Sequence, residues 1–335
     1  MHQPNSQKAS FRRTLRHHGR LLRLRSKRMG RATLGVLGLL AAACGSDRLE
    51  PPVLGLSKQG QHAQGLRAKA NDVSHLIVMG DSISEGLGAQ SQTMSYASLL
   101  YRNNDAVYPH ERGHDLVHHF GPNLSYINVA HAGDTSNDVI RFQLQRLSDK
   151  MMAEATSGTG VELRDNTWSV PGRAIVVMTV GGNDVQQAMR PNTNFTGPVL
   201  THSMINLRAI LDFFEDKRHF PGGVSLYFGN VYDVTDGEDQ MHACMPGMAF
   251  PGMSDALEVW SSSYAELAAQ RNATLVDLLS LFRGHGFNFA NPDNPYFDAR
   301  DTSLWVYDRD CIHPNNRGHH KLRRAFLEHI EQDYP

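Results

Sequence analysis

From position 73 onward the sequence alternates short apolar runs with longer amphipathic ones, and that alternation leaves few folds open. Residues 75–79 (HLIVM), 126–130 (YINVA), 174–180 (AIVVMTV), 224–228 and 274–276 read as strands. Residues 95–102, 136–150, 204–214 and 256–269 read as helices, the second with apolar side chains at 139, 140, 144 and 147. A last helix is expected over 315–331, with Pro314 at its start, where a missing N–H costs nothing. Strands that are apolar throughout bury both faces, which means a parallel sheet covered by helices on both sides. The expectation is therefore a three-layer, doubly wound α/β domain over residues 73–335. Function in such sheets gathers at the carboxyl ends of the strands. The polar residues there are Asp81, Ser82, Asp134, Asn183 and Asp184.

The stretch before this domain has a different character. Of 33 Lys and Arg in the 335 residues, ten lie within 1–44, which hold no acid. The other 23 face 34 acidic residues, a formal charge of −11 on the remainder. An acidic body argues against nucleic acid as a partner, because phosphate neutralisation needs cations. Residues 32–43 (ATLGVLGLLAAA) form an apolar run too short to span a bilayer and suited to a signal-peptide core. Cys44 follows Leu40-Ala41-Ala42-Ala43, which resembles a bacterial lipobox with Ala41 where leucine is usual. Residues 1–44 are thus expected to be a lipoprotein-type signal ending at a lipidated Cys44, with Met29 an alternative start. Arg12-Arg13 lies too far from the apolar run to serve as a twin-arginine signal. Residues 45–72, rich in Gln, Gly, Ser and Lys with Pro51-Pro52, read as a flexible tether. The expected location is the bacterial cell envelope, held by the N-terminal lipid alone, or outside the cell.

Four short blocks carry the chemistry. Gly80-Asp81-Ser82-Ile83-Ser84-Glu85-Gly86 follows the first strand, and Asn128-Val129-Ala130-His131-Ala132-Gly133-Asp134-Thr135 the second. Gly181-Gly182-Asn183-Asp184 follows the third, and Asp310-Cys311-Ile312-His313-Pro314 precedes the last helix. Alone, Ser82 reads as a helix N-cap and Gly133 as a turn glycine; the four blocks in order read differently. Together they resemble the SGNH hydrolases, the GDSL lipase/esterase family, over most of the chain from position 73. The second block looks most like the thioesterase and lysophospholipase branch. The resemblance implies a flavodoxin-like sheet and ester hydrolysis without a cofactor or metal. It implies Ser82 as nucleophile, His313 as base, Asp310 as the group orienting the histidine, and Ser82, Gly133 and Asn183 as oxyanion donors. The residue types suit those roles. A serine hydroxyl needs an adjacent base, neutral histidine serves near pH 7, and a carboxylate fixes its tautomer.

Two cysteines remain, Cys244 and Cys311, and in an exported chain they are expected to pair. His110, His114 and His118 recur at a spacing of four and are followed by His119, but the polar, glycine-containing surroundings read as a solvated loop. Residues 231–253, with Met241, Met245, Met248, Met253 and Phe250, are expected to frame the pocket. So are residues 285–307, with Phe287, Phe289, Tyr296, Phe297, Trp305 and Tyr307. Such a lining suits acyl esters, lysophospholipids or thioesters. The same aromatic rings suit a carbohydrate O-acetyl esterase, and the same triad suits an acyltransferase.

Overall fold

The computed structural model describes residues 72–188, 196–241 and 244–335. The leader expected over 1–44 with Cys44, and the tether over 45–72 apart from Asp72, lie outside the described residues. Five strands form one parallel sheet among the described residues: β1 (Val73–Gly80), β2 (Ser125–Asn128), β3 (Arg173–Thr179), β4 (Val224–Gly229) and β5 (Thr274–Val276). Their order is β2-β1-β3-β4-β5, the flavodoxin-like arrangement. In register, Ile77 lies beside Ile127 on one side and Val176 on the other, and Val176 beside Leu226.

Both faces of the sheet are covered, as continuous apolar strands require. Ile77, Met79, Val176, Met178 and Phe228 point into one core with Leu147, Leu207, Ile210, Leu211, Trp260 and Tyr264. Those partners come from α2 (Leu144–Ser157), α3 (Pro198–Phe214) and α4 (Met253–Gln270), numbered after the short α1 (Ser82–Glu85). Leu76, Val78, Ile175, Val177 and Tyr227 point the other way, against Tyr96, Leu100, Phe282 and the α5 (Asn316–Asp333) residues Leu322, Phe326 and Ile330. Each fully buried side chain of this kind contributes about 1.5–3 kcal/mol.

Three local features differ from the sequence reading. The helix expected over 136–150 runs from Ser136 to Ser157, but a π turn, Val139–Gln143, interrupts it. The extra residue turns Gln143 fully inward, where its amide bonds both backbone groups of Gly80. A small antiparallel hairpin, Glu162–Arg164 with Thr167–Ser169, was not expected. It turns through Asp165 and Asn166, both at positive φ (49° and 58°), as a two-residue primed turn requires. Pro314 sits one residue before the N-cap of α5: Asn315 caps the helix, its side-chain oxygen accepting from the amides of Arg317 and Gly318.

β1 ends against β3 with no room to spare. Gly80 has φ +115°, and a Cβ there would lie 1.8 Å from the Thr179 carbonyl oxygen. Gly80→Ala is expected to lower stability by about 3 kcal/mol or more, since backbone and not a flexible side chain must move. Chemical denaturation checks this: a midpoint equal to that of the parent would show that the strand ends can separate at no cost.

Candidate active site

The chain leaves β1 in a turn held on three sides. The Asp81 amide donates to the Thr179 carbonyl (2.8 Å), and the Asp81 carboxylate accepts from the Ile83 amide (3.0 Å) and the Thr179 hydroxyl (2.9 Å). Asp81 thereby caps α1, and Ser82 is that helix's first residue. The sequence reading of Ser82 as a possible cap gives way to Asp81 in that role.

His313 approaches from the far end of the chain. Its Nε2 lies 2.7 Å from Ser82 Oγ, and its Nδ1 lies 2.9 Å from Asp310 Oδ2. A carboxylate accepts only, so Nδ1–H donates to Asp310 and Nε2 is left to accept from the serine hydroxyl. The other Asp310 oxygen accepts from the Ile312 and His313 amides, each at 3.0 Å. Burial works to raise the Asp310 carboxyl, but these amides and the His313 ring outweigh it and hold it below the usual carboxylate range. It is ionised at neutral pH.

The loop around this pair is closed on itself. The Tyr307 amide donates to the His313 carbonyl (2.7 Å) and the Cys311 amide to the Tyr307 carbonyl (3.0 Å). Cys311 is 4% exposed, adopts φ +67°, and is joined to Cys244 across 67 residues by the expected disulfide. A side chain in that left-handed region costs about 1 kcal/mol, which the surrounding bonds hold in place. The Tyr232 hydroxyl donates to the Ile312 carbonyl from the opposite side.

Gly133 lies in the loop after β2, and Asn183 in the first turn of the short helix Gly182–Ala188 that follows β3; these two strands flank β1. Gly133 has φ +86° with open space where a Cβ would stand. One Asn183 N–H donates to the Asp134 carbonyl (2.9 Å), which leaves the second. Among the described residues, the amides of Ser82 and Gly133 donate to no protein acceptor.

The supports of this arrangement were not read from the sequence. The Glu85 carboxylate accepts from the Ala132 amide and holds the Gly133 loop against α1. Gln143 donates to Asp134 (2.8 Å) as well as to Gly80. Asp184 reaches two other helices: it accepts from the Ser136 amide (2.9 Å), the Ser136 hydroxyl (2.6 Å) and, on α3, the Ser203 hydroxyl (2.7 Å).

The histidines of the 110–119 region do not converge. His110, His114 and His118 are 66%, 61% and 52% exposed and face Glu111, Glu331 and Asp115 separately. His320 joins His110 around Glu111, whose carboxylate is taken up by Arg323 and Arg324.

A cleft of about 300 Å³ is lined by Asp81 and Ile83, the chain neighbours of Ser82, and by Ile312, the neighbour of His313. Met241, Met245, Met248, Met253 and Phe250 line it, as expected of the 231–253 segment. The 285–307 segment does not line it, contrary to expectation. Phe287 and Trp305 are buried instead in the core under α5, with Trp305 stacked on His285 at 3.5 Å.

Asp81 faces this cleft and is 3% exposed; burial raises its carboxyl from 3.8 to about 7. The folded protein therefore keeps a proton that the unfolded chain releases above pH 4. Its stabilising contribution is complete below about pH 4 and is lost as pH rises through about 7. The shift corresponds to about 4 kcal/mol. Asp81→Asn is expected to gain stability relative to the parent between pH 4 and 8; parallel stability profiles for the two proteins would contradict the assignment.

The model of the GDSL-like lipase/acylhydrolase family matches residues 78–321. No curated protein matches the chain. Solved structures similar to it include an extracellular lipase from Streptomyces rimosus, at 16% identity over 78% of this chain and 99% of that one, TM-score 0.43. A phospholipase A1 from Streptomyces albidoflavus gives 15% identity over 78% and 99%, TM-score 0.46. An acetylxylan esterase from Geobacillus stearothermophilus gives 19% identity over 79% and 95%, TM-score 0.44. With the family's model running through well over half of its length, the chain belongs to the GDSL-like lipase/acylhydrolase family and is an ester-hydrolysing serine hydrolase.

Proposed function

We propose that the chain is an exported esterase whose nucleophile is Ser82. The observation that supports this reading is the unbroken relay from Asp310 through His313 to Ser82, at 2.9 and 2.7 Å. Ser82 Oγ attacks the acyl carbonyl carbon as its proton passes to His313 Nε2. Asp310 stabilises the imidazolium without taking the proton. The carbonyl oxygen becomes an oxyanion, which receives the Ser82 and Gly133 amides and the free N–H of Asn183. Collapse expels the alcohol, protonated by His313, and leaves an acyl-serine. Water then attacks that ester, gives its proton to His313, and the carboxylic acid departs with Ser82 restored. No metal or cofactor enters these steps.

Export belongs to the same reading. The bridge between Cys244 and Cys311 suits an oxidising compartment. A lipidated Cys44 would hold the enzyme at the bacterial envelope by its N-terminal lipid, with ester substrates as its partners and no role for nucleic acid.

Ser82→Ala is expected to abolish labelling by a fluorophosphonate probe, and a variant that still labels would refute the nucleophile. Asn183→Ala is expected to lower kcat by about 10²–10³ with KM little changed, the cost of one oxyanion donor. A loss of kcat/KM that came through KM alone, with kcat unchanged, would remove Asn183 from that role. In a bacterial host, Cys44→Ala is expected to move the protein from the detergent phase to the aqueous phase in Triton X-114 partitioning; unchanged partitioning would dismiss the lipid anchor.

A further inference from the structure

The cleft beside Ser82 and His313 is hydrocarbon on nearly every side. Two neutral amides line it, the exposed Gln186 and the buried Asn230, and Asn230 is committed elsewhere: it donates to Ser261 and Asp277 (both 2.8 Å) and accepts from the Leu279 amide (2.9 Å). None of the aromatic rings from 285–307 lines the space; the rings that do are Phe250 and Tyr232, the latter stacked on Phe282 at 4.2 Å. Much of the wall is methionine, unbranched and adaptable, which packs well against a linear chain.

The methionine wall is fastened in an unusual way. Gln240 and Ala249 form an antiparallel bridge that closes the neck of a loop, and the Met241 amide donates to the Met248 carbonyl (3.3 Å) across it. Beyond the neck, Met245 is half-buried in the cleft and Cys244 beside it is covalently joined to Cys311. Cys311 stands between Asp310 and His313. One bond therefore ties the wall of the cleft to the loop that carries the imidazole and its carboxylate.

We propose that the cleft receives the acyl chain of a medium-length linear ester, and that the Cys244–Cys311 bridge sets chain-length selectivity by holding the methionine wall against that chain. The inference rests on the Ser82 esterase reading. Each methylene buried on the way from acetate to octanoate raises kcat/KM by up to about fourfold, at ~0.8 kcal/mol per CH₂. Partial burial of the six added methylenes suffices for a preference of tenfold or more.

The test compares kcat/KM for p-nitrophenyl octanoate and acetate in the full-length protein, alongside fluorophosphonate labelling of the same samples. The parent is expected to favour octanoate at least tenfold. Cys244→Ser and Met245→Glu are each expected to cut that ratio at least fivefold while still labelling at Ser82. Failure of the parent to label would overturn the esterase reading itself. A labelled parent that favours acetate would overturn the acyl-chain assignment, and a labelled Cys244→Ser with an unchanged ratio would overturn the role of the bridge. Should Cys244→Ser fail to fold, the ratio in the parent treated with dithiothreitol replaces it, and an unchanged ratio there overturns the same claim.

Discussion

The close approach of β1 to β3 is the constraint on which the rest of the molecule depends. Gly80 is a glycine because the Thr179 carbonyl occupies the place of a side chain. The same carbonyl accepts from the Asp81 amide, and the Thr179 hydroxyl donates to one oxygen of the Asp81 carboxylate. These contacts fix the point at which the chain turns out of the sheet, and Ser82 is the next residue. The strand order then places the loops after β2 and β3 on either side of that turn. A parallel sheet with its reversal of strand order at β1 thus assembles a hydroxyl and its flanking amides from segments about 50 residues apart in sequence.

Electrostatics follows from this packing. Asp81 and Asp310 are both carboxyls close to Ser82, yet their surroundings push them in opposite directions. Asp81 lies against the apolar cleft and is raised to about 7 by burial. Asp310 is partly buried as well, but two amides and an imidazole converge on it and keep it charged. The carboxylate that faces the His313 ring is thereby the one with donors around it. The one that only shapes a turn is relieved of much of its charge by its environment.

The fold was legible in the sequence because strands covered on both faces are largely apolar, and all five appear where such runs occur. The four blocks were legible because each sits at a strand end or before α5. The cysteine pair followed from compartment and parity alone. What escaped the sequence reading depends on contacts between distant side chains. Glu85 looks like an ordinary first-turn acid until it meets the Ala132 amide, and Gln143 like a polar residue on a helix until a π turn rotates it under Gly80. The aromatic run of 285–307 was assigned to the pocket on composition. Composition does not say which face a loop presents, and here Phe287 and Trp305 pack into the core with α5. The hairpin at 162–169 was missed because three-residue strands leave no periodicity to read.

His313 and Asp310 ride on a single loop whose own backbone bonds run from Tyr307 to His313. Base and carboxylate are consequently one cartridge: their mutual alignment is local, while their alignment with the serine depends on where the cartridge is seated. A disturbance at the seat, through Tyr232 or the tether to Cys244, would uncouple the serine while leaving the acid–base pair whole. Two kinds of disturbed site are therefore possible, one with a broken pair and one with an intact pair out of reach of Ser82, and the histidine ring's Nδ1 proton would tell them apart.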